Sequence, residues 1–323
     1  MALNAPDVPH LDGRYAALNE LGFRPHEAAW LALVCLHSGV FTRTQFTDHH
    51  RCSPETARTF ARSLVAAGFA REHPLPDVDT RLHYTHVFGR GLYRALSVEN
   101  IRHRRHPKEG LVLFRRLLSL DHVIRHPDLP WLATEQEKVD HFTGRGIRRV
   151  HLPSRRYGGS AKRTVRYFAL KLPIAADEES ATFVYIDPGR QTDRELQRWA
   201  AEHRPLWSRL RALGTEVRVA AVARTVAKQH ELSHKVAAWT NDTPAAGQPL
   251  TPEERQTLAD LRAAILAADP AGFEQWGGFE PARQLSIHLR QRAEAEDSGV
   301  ASLPVIDAYS THHPRGLSPQ GLA

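Results

Sequence analysis

The sequence predicts a chain that mixes α-helices and β-strands, with features of both the α+β and the α/β class. Three observations support this prediction. Residues 1–99 show helical spacing of apolar residues followed by two short strand-like runs, residues 165–222 alternate β-rich runs with a long helical segment, and residues 251–295 return to helical spacing. These changes of pattern divide the chain into residues 1–99, 100–240 and 241–323.

The first segment begins with two predicted helices. Apolar residues at helical spacing predict a helix over residues 26–36, and Gly39 ends it. Thr42 can cap a second, short helix, and Gln45 can bond back to the backbone of Thr42, which is the capping-box arrangement. The chain is therefore expected to turn from one helix into the next over a short connection.

A third helix and a hairpin follow. Ser53 and Pro54 form a strong start signal, because serine caps a helix and proline suits its first turn. Gly68 ends this helix, and runs at residues 69–73 and 82–87 predict two strands separated by a loop. This order is that of a winged helix-turn-helix, in which the third helix enters the major groove of DNA and the hairpin forms the wing.

We expect this module to contact DNA through residues that point away from its core. Core spacing leaves several positions of the third helix facing outward, and further arginines flank that helix or lie on the wing strands. The predicted DNA-binding residues of the module are Arg43, Arg51, Thr56, Arg58, Thr59, Arg62, Arg71 and Arg81. Because residues 1–99 have no net charge, pairing with another protein is the alternative.

The positive charge of the chain is concentrated in its centre. The protein carries 43 Lys and Arg against 36 Asp and Glu, a net charge of +7, and residues 100–172 alone carry 17 against 6. Such a block is typical of a protein that binds a polyanion, although a solvated surface is the alternative. A loop rich in arginine and glycine is predicted within it, at residues 145–163. The expected phosphate contacts are Arg102, Arg104, Arg105, Arg155 and Arg156.

Strands and helices alternate in the second segment. Runs at residues 165–172 and 181–186 predict an antiparallel pair of strands, and a long helix follows over residues 193–213. An apolar run at residues 217–222 predicts a strand that is buried on both faces, and a closing helix follows. This order indicates a small α/β unit. For residues 241–323 the composition predicts a linker, two helices and a loose acidic tail.

Three short motifs occur in the first two segments: Ser53-Pro-Glu-Thr-Ala-Arg58, Leu120-Asp-His-Val123 and Tyr185-Ile-Asp-Pro-Gly189. With these motifs, residues 22–225 resemble the replication-relaxation family of plasmids and integrative elements. The resemblance implies an N-terminal winged helix-turn-helix and a small α/β endonuclease-like domain related to PD-(D/E)XK nucleases; the sequence pattern itself adds a helical C-terminal extension. It also implies a DNA-binding protein of a mobile genetic element that acts in regulation, or as an accessory to replication or transfer.

The residues that a nuclease of this type would need are not in place. Such a nuclease holds Mg²⁺ with an acid on one strand and with an acid, one residue and a lysine on the next. Here Lys171 lies on the first strand, while Tyr185 and Asp187 take the positions of the second acid and the lysine. Glu135 and Glu137 are further carboxylates that could contribute. We expect a non-catalytic domain without metal or cofactor; a metal-dependent nuclease or nickase is the alternative function.

The sequence disfavours several other classes of protein. It contains no phosphate-loop, GxSxG or GxGxxG motif, so we expect no small-molecule substrate. His122 and His126 are four residues apart on a helix without a nearby third ligand, and Cys35 and Cys52 form no disulfide framework or zinc site. No run is apolar enough for a membrane helix. We expect a cytoplasmic protein that binds double-stranded DNA as a homodimer, with a protein-only adaptor as the weaker alternative.

Overall fold

The computed structural model mixes α and β structure in two compact units, Met1–Ala237 with Ile306–Ala323, and Ala238–Val305. The residues it describes form twelve α-helices and three small sheets. None of the described helices combines the length and the apolar character that crossing a bilayer requires. The described residues are 9–11, 13–76, 82–107, 110–158, 164–189, 193–241, 250–267, 271–298 and 307–312.

The N-terminal region packs its helices against a three-stranded sheet. Its helices are α1 (Ala16–Glu20), α2 (Pro25–His37), α3 (Arg43–His50), α4 (Pro54–Ala66) and α5 (Arg90–Ala95). Its strands are β1 (Val40–Thr42), β2 (Ala70–Pro74) and β3 (His83–Val87), which pair antiparallel in the order β1-β3-β2. Helices α2 to α4 and the β2–β3 hairpin lie where the sequence predicts them, whereas β1 is too short to show a period.

Side-chain caps start both α3 and α4. Thr42 Oγ1 accepts a hydrogen bond from Gln45 N (3.2 Å), and Gln45 Oε1 accepts one from Thr42 N (2.9 Å). Ser53 Oγ accepts a hydrogen bond from Thr56 N (3.2 Å). Each cap satisfies an N–H group that no helical carbonyl can reach, which is worth about 1 kcal/mol. The caps therefore set where the two helices begin.

Aromatic side chains fix α4 against α2 and α3. Trp30 lies edge-on to Phe41 and Phe46, with ring centroids 5.6 and 5.4 Å away, and Phe46 stacks on Phe60 of α4 at 4.7 Å. All four rings are buried. Burying such a ring stabilises the fold by about 1.5–3 kcal/mol. Since Phe60 points inward, the opposite face of α4 is turned to solvent.

The middle region contains a four-stranded sheet and a separate two-stranded sheet. Its helices are α6 (Arg102–Arg105), α7 (Gly110–Arg125), α8 (Glu135–Gly144), α9 (Asp193–Ala212) and α10 (Val226–Asn241). Its strands are β4 (Ser154–Tyr157), β5 (Thr164–Tyr167), β6 (Ile174–Ala176), β7 (Ser180–Asp187), β8 (Glu216–Ala223) and β9 (Asp307–His312). Strands β4 and β5 pair antiparallel. The larger sheet has the order β6-β7-β8-β9, in which β6 is antiparallel to β7 and the other pairs are parallel.

The antiparallel pair predicted for residues 165–172 and 181–186 is wrong. The first run ends at Tyr167, where β5 pairs with β4, and the partner of β7 is β6. The chain turns because Phe168 and Lys171 adopt left-handed φ angles of 48° and 57°, and Lys171 N donates to Phe168 O (2.8 Å). Neither residue is a glycine or an asparagine, so composition does not reveal this turn.

The tail predicted after residue 297 contains a strand. Strand β9 pairs with β8 from Arg218, which lies opposite Asp307, to Ala223, which lies opposite His312. Strand β8 is buried along most of its length, and its backbone groups need hydrogen-bonding neighbours on both edges. Strand β7 supplies one neighbour and β9 the other, so a polar segment far along the chain becomes part of the sheet.

Buried and partly buried contacts join the N-terminal and middle regions across the boundary predicted at residue 100. Gln45 Nε2 donates to a backbone carbonyl of α7 (2.9 Å), and Arg14 forms an ion pair with Glu137 of α8 (2.8 Å). At Gly39, where φ is 82°, a Cβ atom would lie only 2.6 Å from the carbonyl oxygen of Arg104. Only glycine allows this close approach. The two regions thus belong to one compact unit.

The second unit contains two helices, α11 (Pro252–Ala267) and α12 (Phe279–Ser298), with a 3₁₀ turn between them. Its small core includes Leu261, Phe273 and Ala282. Thr251 and Glu254 form a capping box at the start of α11, with hydrogen bonds of 2.9 and 3.1 Å. Both helices lie where the sequence predicts them.

Candidate nucleic-acid interface

Helix α4 exposes polar side chains on the face opposite its core. Its buried residues are Ala57, Phe60, Ala61 and Leu64. A period of 3.6 residues places Arg58, Thr59 and Arg62 on the other side, and all three are exposed. The helix therefore carries predicted DNA-binding residues on one accessible surface, which we call the α4 face.

Two of the predicted arginines are paired with glutamates. Arg58 forms an ion pair with Glu55 (2.8 Å) within α4, and both side chains are exposed. Arg43 donates to both carboxylate oxygens of Glu72 (2.9 and 2.7 Å), which ties the start of α3 to strand β2. Because exposed pairs contribute about 1 kcal/mol or less, DNA could displace Glu55 from Arg58 at small cost.

The remaining predicted residues around α4 differ in how accessible they are. Arg62 and Thr59 form no side-chain hydrogen bond or ion pair in the part of the chain that the structure describes. Thr56 is half-buried, and its hydroxyl lies 3.0 Å from Ser53 Oγ. Arg51 is exposed and ends α3 in a left-handed conformation, with φ at 49°. Arg62 is thus the predicted arginine of α4 whose side chain gives up no described hydrogen bond or ion pair if it binds a ligand.

The β2–β3 hairpin, the predicted wing, carries one described arginine. Arg71 on β2 is exposed, and its guanidinium carbon lies 5.4 Å from the centre of the Phe88 ring. Such a stacked guanidinium keeps its hydrogen-bond donors for other partners. Arg81, the other arginine predicted on the wing, lies outside the described residues.

Arg104, which the sequence predicts as a phosphate contact, is a core residue instead. It is 6% exposed, and it donates to Cys35 O (3.1 Å) and Ala133 O (3.0 Å). Its own carbonyl lies 3.0 Å from His86 Nε2. Burial lowers the pKa of Arg104 to about 10. Because α6 is a single turn with four consecutive basic residues, spacing does not reveal which of them points inward.

The neighbours of Arg104 on α6 remain nearer the surface. Arg102 is exposed. Arg105 is half-buried and donates to Glu99 O (3.2 Å). Of the three arginines predicted here, Arg102 is the one that a DNA phosphate can reach most freely.

Arg155 and Arg156 lie on strand β4 rather than in the predicted loop. Arg155 is half-buried and donates to both carboxylate oxygens of Glu202 on α9 (3.1 and 3.3 Å). Arg156 is exposed, since neighbouring residues of a strand point to opposite faces. Sequence reasoning missed Arg166, which is exposed and lies directly opposite Arg155. Finding it requires the β4–β5 pairing, which the sequence does not predict.

Asp187 stands where strand β7 ends. It is 1% exposed; Oδ1 accepts a hydrogen bond from Gly189 N (2.7 Å), and Oδ2 lies 3.6 Å from Lys228 Nζ on α10. Tyr185 is buried. Lys171, expected on the strand beside it, lies in the turn after β5 instead. Lys171, Tyr185 and Asp187, the positions at which a nuclease would carry its catalytic groups, therefore do not lie together on two neighbouring strands.

The other two candidate carboxylates hold separate parts of the fold. Glu135 accepts a hydrogen bond from Tyr167 N (2.9 Å). Glu137 binds Arg14 and accepts a hydrogen bond from Ala133 N (2.8 Å). Within the described ranges, no three His, Cys, Asp or Glu side chains form a group that could hold a metal ion.

His122 and His126, at the end of α7, pack against each other. The rings of His122 and His126 have centroids 4.6 Å apart, and His122 is 2% exposed. Neither ring nitrogen of His122 has a hydrogen-bond partner among the residues that the structure describes. Burial lowers the pKa of His122 to about 3, which keeps the ring neutral at physiological pH.

The chain matches no protein-family model, no curated protein and no solved structure.

Proposed function

We propose that the chain is a sequence-specific binder of double-stranded DNA. In this proposal the N-terminal region is a winged helix-turn-helix, with α4 as the recognition helix and the β2–β3 hairpin as the wing. The element order α2-α3-α4-β2-β3 and the small sheet β1-β3-β2 support this interpretation. The central excess of Lys and Arg supports a polyanionic partner.

The α4 face is the observation that carries the proposal. Arg62 and Thr59 are exposed and without side-chain partners in the described part of the chain, while caps and buried aromatic rings fix the helix beneath them. An arginine on such a helix can form two hydrogen bonds to guanine, and a good contact of this kind contributes about 1–3 kcal/mol of discrimination. Because the helix holds these side chains in fixed positions, directed contacts with bases are favoured over non-specific attraction to phosphates.

A selection experiment tests this function. Duplexes that the full chain retains from a random-sequence pool would define its preferred site. We expect Arg62→Ala to weaken binding to that site at least tenfold and to flatten the sequence preference. Arg262→Ala, at an exposed position of α11, is the matched control and should change neither. Unaltered preference in Arg62→Ala would refute the assignment of α4.

The same proposal covers the middle region, the oligomeric state and the biological role of the chain. We assign the middle region to an endonuclease-like domain that binds or positions DNA without cutting it, and we expect a homodimer on a two-fold site. The role in a mobile genetic element, in regulation or as an accessory to replication or transfer, rests on the resemblance to the replication-relaxation family. Footprints on the DNA beside its own gene would test that role.

One observation favours a second candidate, a metal-dependent nuclease. Asp187 is a buried carboxylate beside a lysine, Lys228, at the carboxyl end of a parallel strand, where α/β proteins commonly place their ligands. Incubation with supercoiled plasmid and Mg²⁺ or Mn²⁺ tests this candidate. We expect no cleavage. Nicking that Asp187→Asn abolishes, while DNA binding persists, would establish the nuclease.

A further inference from the structure

Strands β4 and β5 form a separate ribbon with accessible side chains. The ribbon is a sheet of its own, with Arg155 opposite Arg166 and Arg156 opposite Val165. Arg156, Val165 and Arg166 are exposed, and so is Tyr157 at the end of β4. Directly paired residues share a face of a sheet, so Arg156 and Val165 project together on one face.

The ribbon belongs to the most one-sided charge segment of the middle region. Residues 145–167 contain eight Lys and Arg and no Asp or Glu. Arg145 is held by backbone carbonyls of Asp177 and Glu178 (2.9 and 2.8 Å), but Arg148 and Arg149 are exposed next to the ribbon. A stretch of this composition attracts a polyanion, and it contains no carboxylate that would repel one.

The ribbon also places two like charges directly opposite each other. Arg155 and Arg166 are cross-strand partners, an arrangement that destabilises a sheet. Glu202 neutralises Arg155. Arg166 forms no ion pair with any residue that the structure describes. Glu202 thus offsets the charge of Arg155, while the charge of Arg166 has no acidic partner among the described residues.

We infer that the β4–β5 ribbon enters the major groove of duplex DNA and reads base edges with Arg156 and Val165. The major groove is wide enough for a two-stranded ribbon. Arginine recognises guanine, and an apolar side chain contacts the C5-methyl group of thymine, so the face shared by Arg156 and Val165 fits adjacent bases. Arg148 and Arg149 then contact phosphates. The inference rests on the proposed binding of duplex DNA and adds a second reading element to it.

Substitution on the ribbon separates base reading from simple attraction. On the duplex selected by the full chain, we expect R156A to weaken binding about tenfold, and to expose to methylation a guanine N7 that wild type protects. R156K keeps the charge but loses the two-bond contact, so it should retain the salt dependence and still lose that protection. Arg262→Ala is again the control, and thermal melting checks that each variant folds.

Uracil in place of thymine tests the role of Val165. Removing the thymine methyl group at one position of the site should weaken wild-type binding several-fold. The same change should not weaken the binding of V165A any further. Unchanged footprints in R156A and V165A would overturn the inference. So would an R156A defect that is equal on selected and random DNA, because the ribbon would then only attract phosphates.

The two proposals fail in different ways. If Arg62→Ala leaves the sequence preference intact while R156A alters it, the ribbon reads DNA and α4 does not. If only Arg62→Ala alters it, the ribbon inference is wrong and the winged helix stands. A chain that selects no duplex overturns both.

Discussion

The α4 face and the β4–β5 ribbon both expose arginines, but their electrostatic surroundings differ. Near α4, Arg58 and Arg43 are paired with Glu55 and Glu72, and residues 1–99 have no net charge. Residues 145–167, by contrast, contain no acid. A neutral surface has to gain affinity from directed contacts, whereas an unbalanced one attracts DNA of any sequence before it reads any base. Counting arginines alone would not distinguish the two.

The largest effect should come from breaking the connection between the regions that carry these two surfaces. Arg104→Ala leaves a cavity and removes the donor to Cys35 O and Ala133 O, so we expect a loss of about 3 kcal/mol in the free energy of unfolding. Urea denaturation would measure it. Arg102→Ala, at the exposed neighbour, should cost less than about 0.5 kcal/mol. A loss below about 1 kcal/mol in Arg104→Ala would contradict the buried role.

The core around helix α7 should be sensitive to acid. The pKa of His122 is lowered to about 3 by burial, so the unfolded chain binds a proton below about pH 6.5 that the folded chain does not. Stability is therefore lost as the pH falls through that window, at about 1.4 kcal/mol per pH unit for this group. His122→Phe should reduce the slope by that amount between pH 6 and 4. An unaltered slope in urea titrations would show that His122 is not the titrating group.

A smaller change on the α4 side would sharpen the comparison. Ser53→Ala removes the cap of α4 and should cost about 1 kcal/mol in stability. Binding to the selected duplex should weaken more than binding to random DNA, because the helix start that places Arg58 is loosened. Thr251→Ala removes the equivalent cap of α11 and is the control; it should lower stability without changing DNA preference. Equal effects of both substitutions on preference would contradict the role of α4.

The smallest expected effect lies on the ribbon. Glu202→Gln removes the carboxylate that pairs with both Arg155 and Arg198, so binding to every duplex should rise about twofold to threefold at low salt. The slope of log K against log salt should steepen by about 0.9, the value for one added phosphate contact. Glu55→Gln makes the same change of charge on α4. If both variants raise the salt slope equally, the distinction between the two surfaces fails.

The parts of the fold that the sequence predicts are those with local signals. Thr42 and Ser53 cap the helices that follow them, and Gly39 and Gly68 lie just beyond helix ends, so a few neighbouring residues determine each element. Strand pairing in the middle region is not local. The partner of β8 on one edge is β9, and the turn at Phe168 depends on burial that no short window contains.

The residues of the candidate site also fall into those that local sequence predicts and those that it does not. The outward positions Arg58, Thr59 and Arg62 follow from helical period alone, and the structure exposes all three. The inward position of Arg104 depends on carbonyls supplied by two distant segments, and the exposure of Arg166 depends on its pairing with β4. Charge composition locates a basic region but does not distinguish its buried residues from its accessible ones.

The position of β9 has a consequence during synthesis of the chain. Eighty-three residues, including α10, α11 and α12, separate β8 from β9, so β8 leaves the ribosome long before its neighbour on that edge. Until residues 307–312 emerge, this edge can pair with another nascent chain. A chain shortened to residue 305 should therefore aggregate on expression, whereas one shortened to residue 312 should not; equal solubility of the two would exclude this. Residues 307–312 therefore complete a sheet whose other three strands are synthesised earlier.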